Sequence, residues 1–110
     1  EIYAARPDVT SICHHHAPAI MPFCLTRAPL RAVSQTGAFL GSAVPLWDSA
    51  DEFGATRLLV DNPAQAASLA RALGQASLVL MRGHGATIAG RNIFLLRGSS
   101  VRKACFPMAR

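Results

Sequence analysis

The sequence predicts an α/β fold, a layered domain in which helices alternate with buried strands. Three stretches carry that expectation: a well-punctuated helix over residues 62–73, a continuous apolar run at 77–81, and a β-branched and apolar stretch at 9–16. The chain has 110 residues, 51% of them apolar and only 15% charged, which suits one packed core and is far from the composition of a disordered segment.

Taken in order, residues 1–5 read as the end of a helix. Pro7 closes it, because a proline disfavours the α conformation at the residue before it, here Arg6. Residues 9–16 read as a strand that stops at Ala17-Pro18. Residues 19–25 are apolar and read as a helix, with Pro22 near the first turn, where a missing N–H is tolerated. Residues 26–42 read as loop, with Gly37 and Gly41 bracketing Ala38-Phe39-Leu40. At 44–47 a short extended piece contains Pro45, which confines it to an edge or an irregular strand.

The helix at 62–73 has the clearest signals. Asn62 is a good N-cap, Pro63 suits the first helical position, and Gln65 completes a capping-box spacing. Ala66, Leu69, Ala70 and Leu73 recur at helical spacing, so one face is apolar, and Gly74 stands where a C-terminal glycine belongs. Residues 77–81 then read as a strand buried on both faces, 82–85 as a turn, and 86–89 as a second strand ending at Gly90. From Asn92 onward Gly98-Ser-Ser and Pro107 interrupt the pattern, and no periodicity defines an element.

The net charge of +5 is unevenly spread. All six acids and seven of the 11 basic residues lie in 1–96, while Arg97, Arg102, Lys103 and Arg110 make 97–110 a basic tail. A single aromatic residue, Phe106, lies among those charges, too few to stack a run of bases, so nucleic acid is not the expected partner. No apolar run approaches the roughly 20 residues of a membrane span. The N-terminus lacks the basic-then-apolar pattern of a signal peptide, and its start without Met reads as the middle of a helix in a partial chain. Three cysteines (Cys13, Cys24, Cys105) without CxxC spacing argue against a disulfide framework and for a reducing, cytoplasmic setting.

Four histidines carry the chemistry: His14, His15, His16 and His84. Side chains alternate along a strand, so His14 and His16 share one face, and His15 shares the other with Cys13. His84 lies between two glycines that let the backbone turn sharply. Three imidazoles on one divalent ion, with a position left open, is the usual design of a catalytic zinc site. The alternatives are a polar patch at a strand end for the triple histidine, and an ordinary turn residue for His84. Gly83-His84-Gly85 followed by Gly90 does not match the spacing of a dinucleotide fingerprint, and no phosphate loop of the Walker type occurs.

Three ordered motifs, Tyr3-Ala-Ala-Arg-Pro-Asp-Val9, His14-His-His16-Ala-Pro18 and Met81-Arg-Gly-His84-Gly85, resemble the class II aldolase/adducin family. Pro22-Phe-Cys-Leu-Thr26, Pro29-Leu-Arg31, Gly37-Ala-Phe-Leu-Gly41 and Val44-Pro-Leu-Trp-Asp48 look most like its hydroxy-carboxymuconic-semialdehyde decarboxylase-like branch, which is related to L-fuculose-1-phosphate aldolase. The resemblance implies a three-layer α/β/α sandwich over residues 1–96, here only in part, and a cytoplasmic homotetramer with its sites between subunits. It assigns His14, His16 and His84 to a divalent ion, zinc first and manganese second. It also implies a lyase that breaks a carbon–carbon bond of a small acid or sugar phosphate through a metal-stabilised enolate, decarboxylation first and retro-aldol cleavage second. The family's acid/base glutamate falls upstream of this chain, so no catalytic residue is assigned, and Glu1 is not its equivalent. The tail at 97–110 has neither the acid nor the tyrosine of the family's last helix and reads as divergent or foreign. Two other roles stay open: an inactive remnant, and an adducin-like oligomerisation module, against which the three matched histidines speak.

Overall fold

The computed structural model describes residues 1–91 and the backbone of residues 104–107. Its centre is a five-stranded sheet made of β1 (Ser11–His15), β2 (Leu46–Trp47), β3 (Leu78–Met81), β4 (Gly85–Gly90) and β5 (Ala104–Pro107). The spatial order is β2-β3-β4-β1-β5, parallel between β2 and β3 and antiparallel elsewhere. Among the described residues, four α-helices accompany the sheet: α1 (Ile2–Ala5), α2 (Met21–Thr26), α3 (Ala50–Phe53) and α4 (Pro63–Leu73).

The apolar run at β3 is buried at all four positions, as a strand with two covered faces requires. Its side chains split by parity. Val79 and Met81 join Trp47, Ala89 and the α1 and α4 residues Ile2, Leu69, Ala70 and Leu73 in one cluster. Leu78 and Leu80 join Cys13, Ala86, Ile88 and the α2 residue Cys24 in the other. Pro45 ends its own ladder early, so β2 is two residues long and sits at the edge.

Helix α4 starts as expected. Asn62 is extended (φ −145°, ψ 159°) and its side chain accepts the Gln65 N–H at 2.9 Å. The Gln65 side chain reaches one residue further back than in a capping box and accepts the Asp61 N–H at 3.0 Å. The buried face is rotated from the expected stripe: Gln65, Ser68, Leu69, Ala70 and Leu73 are buried, and Ala66 is only partly so. The cause is Trp47, whose indole N–H donates to Ser68 Oγ at 2.8 Å, while the Ser68 hydroxyl donates to Glu52 at 2.7 Å. A buried indole needs such an acceptor, and a serine supplies it where a larger apolar residue would not.

Several boundaries differ from the sequence expectations. The first strand begins at Ser11 rather than 9, because Val9 is still tied by its N–H to the Arg6 carbonyl (2.9 Å). Helix α2 begins at Met21 rather than 19, since Ala17 to Ile20 close a turn first. The expected loop at 26–42 contains a short 3-10 helix, Gln35–Leu40, and α3 adds a single helical turn that the sequence reading left unassigned. The basic tail at 97–110 lies outside the described residues except for the backbone of β5, which adds an edge strand where no element was expected.

Arg6 clamps the end of α1 to the loop after α4. Its guanidinium is bidentate to Asp8 (2.8 Å on both arms), and Nη1 donates to the carbonyls of Gly74 (2.7 Å) and Ala76 (3.2 Å). The arginine therefore covers carbonyls that the helix terminus leaves open, with its positive charge at the negative end of α4. The bond to Arg6 holds the Asp8 carboxyl at about 2.

Arg6→Met leaves those carbonyls without a donor and should cost about 1–3 kcal/mol in urea unfolding at neutral pH. The Asp8 contribution is present above its ordinary value near 3.8 and is lost as pH falls toward about 2. The acid limb of a stability–pH curve should therefore flatten in both Arg6→Met and Asp8→Asn, and an unchanged limb in both would remove the clamp from the argument.

Candidate metal centre

The site is built where the end of β1 meets the turn between β3 and β4. His14 lies directly opposite Thr87 in the β1–β4 register, and Met81 lies opposite Gly85 in β3–β4. His84 is therefore carried on a three-residue turn that returns the chain toward β1.

That turn is held from several sides. The His84 N–H closes it on the Met81 carbonyl at 3.0 Å, and Gly83 adopts φ +65°, a conformation that favours glycine. The Arg82 N–H donates to the Trp47 carbonyl (2.8 Å), and the Gly83 N–H donates to the Cys24 carbonyl (3.1 Å). The Cys24 thiol in turn donates to the Gly85 carbonyl at 3.1 Å, and burial pushes that thiol up, which keeps it a neutral donor. Gly85 solves a packing problem. A Cβ there would stand 2.5 Å from the His15 carbonyl oxygen and 2.7 Å from Cδ2 of His16. Only a glycine lets the chain pass beneath the His16 ring.

Three imidazoles converge as a result. His14 Nε2 lies 2.9 Å from His16 Nε2 and 3.3 Å from His84 Nε2. The His16 and His84 rings stack at a centroid distance of 4.9 Å, and His14 meets both edge-on. One nitrogen from each ring lies within 4.8 Å of the others, a grouping that can hold a metal ion. Three nitrogens bound tetrahedrally at about 2.0–2.1 Å would stand about 3.4 Å apart, close to the two distances measured from His14 Nε2.

Proton placement fits as well. The buried Thr87 hydroxyl donates its one hydrogen to Met81 Sδ at 3.3 Å and therefore accepts from His14 Nδ1 at 3.0 Å. That puts the imidazole proton on Nδ1 and leaves the Nε2 lone pair aimed at the other two rings. Burial, then the neighbouring His84, His16 and His15, hold His14 down at about 4, so it is neutral at ordinary pH. Burial and His16 lower His84 too; its Nδ1 is enclosed beside the Leu58 backbone, outside good hydrogen-bond geometry.

The structure thus unites His14, His16 and His84, the residues singled out in the sequence. His15 faces away: it is buried on the Cys13 side of the strand and its Nδ1 accepts the Ala17 N–H at 3.3 Å. The sequence reading missed Thr87 and Cys24. The signal for Thr87 was present, a lone hydroxyl in the otherwise apolar run Gly85-Ala-Thr-Ile-Ala89. Nothing local marks Cys24, whose role depends on the packing of α2 against the turn.

An α/β sheet here gathers three imidazoles, one of them oriented by a threonine, into a group that could hold a metal ion. The chain belongs to the class II aldolase and adducin N-terminal domain family, whose model matches residues 1–96. It is 36% identical to the decarboxylase tropJ of Talaromyces stipitatus over 104 residues, covering 84% of this chain and 39% of that protein. It is 30% identical to the 3,4-dihydroxyphthalate decarboxylase of Arthrobacter keyseri over 100 residues, covering 84% of this chain and 37% of the relative. The chain thus spans about two fifths of the length of the curated relatives it matches.

In metal-free protein, long-range 15N spectra of the imidazoles should give the Nδ1–H tautomer for His14 and a titration near pH 4. Thr87→Val should return His14 to mixed tautomers with the fold retained by circular dichroism. A His14 already carrying its proton on Nε2 would contradict the threonine's role.

Proposed function

We propose that His14, His16 and His84 hold one divalent ion, zinc first and manganese second. We further propose that the chain is the metal-binding part of a lyase that decarboxylates a small hydroxy or oxo acid. The observation that carries the reading is the convergence of three Nε2 atoms with the His14 proton directed away from them, onto Thr87. Decarboxylation is preferred over retro-aldol cleavage of a sugar phosphate because both relatives are named decarboxylases. One of those names specifies a hydroxylated aromatic acid, which supports a carboxylate near an oxygen function as the substrate class.

When a carbon–carbon bond to a carboxylate breaks, its electron pair must spread onto a neighbouring oxygen. A divalent ion at this site supplies positive charge to that oxygen. The chain's own residues set the conditions for it. Low proton affinity at His14 and His84 keeps their rings neutral and available at the pH of a cell. Thr87 fixes the ring plane of His14, Gly85 makes room for His16, and Cys24 with Trp47 anchors the turn that presents His84.

The finer architecture follows the family. Apolar clusters on both faces of the sheet, one with α1 and α4 and the other with α2, support a three-layer α/β/α sandwich over residues 1–96 with 97–110 as a divergent tail. A cytoplasmic homotetramer belongs to the same proposal. Among the described residues, no helix is long and apolar enough to cross a membrane.

Elemental analysis of the purified chain should find about one zinc or manganese per chain, and none in His84→Ala. Thr87→Val should weaken metal affinity by about 10–100-fold, the usual cost of losing an outer hydrogen bond to a ligating histidine. A metal-loaded protein that also carries the family's acid/base glutamate should release carbon dioxide from β-oxo or ortho-hydroxy acids and stop when a chelator is added. A folded chain that binds no divalent ion would defeat the proposal.

A further inference from the structure

The two nitrogens of the His84 ring have different surroundings. Nε2 faces His14 Nε2 at 3.3 Å, within the imidazole group. Nδ1 is enclosed by protein and, among the described residues, has no partner in good hydrogen-bond geometry; what lies beside it is the backbone of Leu58. An enclosed ring nitrogen either gives its hydrogen to an acceptor or takes one from a donor. Leu58 has one backbone donor and one backbone acceptor, and the donor is already engaged. Its N–H donates to Thr56 Oγ1 at 3.1 Å. The Thr56 hydroxyl is itself paired with Ser49 Oγ at 2.8 Å, and Ser49 is buried at the N-cap of α3. The group left to face Nδ1 is the Leu58 carbonyl. Its effect on the ring agrees. Burial and His16 lower the proton affinity of His84, whereas the Leu58 backbone raises it, as an acceptor does and a donor does not.

The rival tautomer is disfavoured at both nitrogens. It would set the Nδ1 lone pair against that carbonyl. It would also aim an Nε2 proton at His14 Nε2, whose single lone pair has His16 closer, at 2.9 Å. The backbone of Leu58 is fixed for this task from two sides. At φ +60° it is left-handed, a conformation that a leucine adopts only under restraint. Thr56 holds its N–H, and its isobutyl group rests on Gly83, the residue before His84.

We propose that Thr56 and Leu58 are positioning residues for His84: Thr56 holds the Leu58 N–H, and the Leu58 carbonyl receives the Nδ1 proton, which leaves the Nε2 lone pair free for a divalent ion. This deepens the metal-site reading of His14, His16 and His84, on which it rests, by supplying the partner of a second ring. Thr87 orients His14 with a side chain, whereas His84 is oriented by the main chain. Position 58 therefore requires a residue that accepts left-handed backbone, and position 56 requires a hydroxyl. Neither requirement concerns the substrate, so both act on the metal ligand alone.

The test records long-range 15N spectra of the metal-free chain at mildly alkaline pH, where its lowered proton affinity leaves His84 neutral. Zinc affinity is then measured by competition with a chromophoric chelator. Wild-type His84 should carry its proton on Nδ1. Thr56→Ser keeps the hydroxyl and Leu58→Asn tolerates the left-handed backbone, so both should retain that tautomer and the wild-type zinc affinity. Thr56→Val removes the hydroxyl and Leu58→Ile places a β-branched residue at positive φ. Both should give mixed His84 tautomers and bind zinc about 10–100-fold more weakly. The His14 tautomer and the circular dichroism should stay as in wild type, which a general loss of structure would not allow. A wild-type His84 protonated on Nε2 would overturn the proposal, as would an Nδ1–H tautomer that survives in both Thr56→Val and Leu58→Ile. Absence of zinc binding from every one of these proteins would defeat the metal reading, while the metal-free tautomers would still decide the positioning. The wild-type spectrum carries that decision even if a variant fails to fold.

Discussion

The antiparallel pairing of β1 with β4 is the constraint on which the rest of the molecule depends. It sets His14 against Thr87, brings His16 over Gly85, and buries Cys13 and Ile88 together in one cluster. Because side chains alternate with a period of two, a slip of one residue would exchange the faces of the strand. His14 would turn into the apolar cluster, and Cys13 would turn out of it. Apolar burial therefore enforces the register, and the register delivers the imidazoles. The site needs no separate stabilisation of its own strand.

How much of this was legible depends on how local each signal is. Asn62, Pro63 and Gln65 act within one helical turn, and α4 begins where they say. The run at β3 reads as a strand with two covered faces because all its side chains are apolar, and it is one. Alternation alone puts His14 and His16 on one face and His15 on the other. The rotated face of α4 was not legible, because Ser68 is buried for the sake of an indole far away in sequence. Nor were Thr87 and Cys24 as supports of the histidines, since each acts on a partner brought close only by the sheet. No element was expected at β5, which pairs with β1 and lies in a stretch without a periodic pattern.

The turn that carries His84 is unusual in taking its restraints from three distant segments. Trp47 in β2 and Cys24 in α2 accept backbone donors from it, and Leu58 leans on Gly83, close enough that an added Cβ would meet its Cδ1 at 2.9 Å. Leu58 itself has φ +60°, uncommon for a residue other than glycine. Strained backbone of this sort persists where the surroundings over-determine it, and here it sits against the imidazole with an enclosed Nδ1. The α2 cluster and the β2 edge thus bear on one ring.

His14 and His84 are separated by 70 positions, and nothing between them forms an independent unit that could hold both. Closing so long a loop is entropically slow, and contacts of high sequence separation mature late in folding. The three nitrogens meet only after β1 has docked beside β4, so the complete imidazole cluster is a hallmark of the finished fold and of no earlier intermediate. An ion that recognises all three rings binds the native state alone and draws the population toward it, by about 2.7 kcal/mol when its free concentration is 100 times its dissociation constant. The abundance of intact protein in a cell would then follow metal supply.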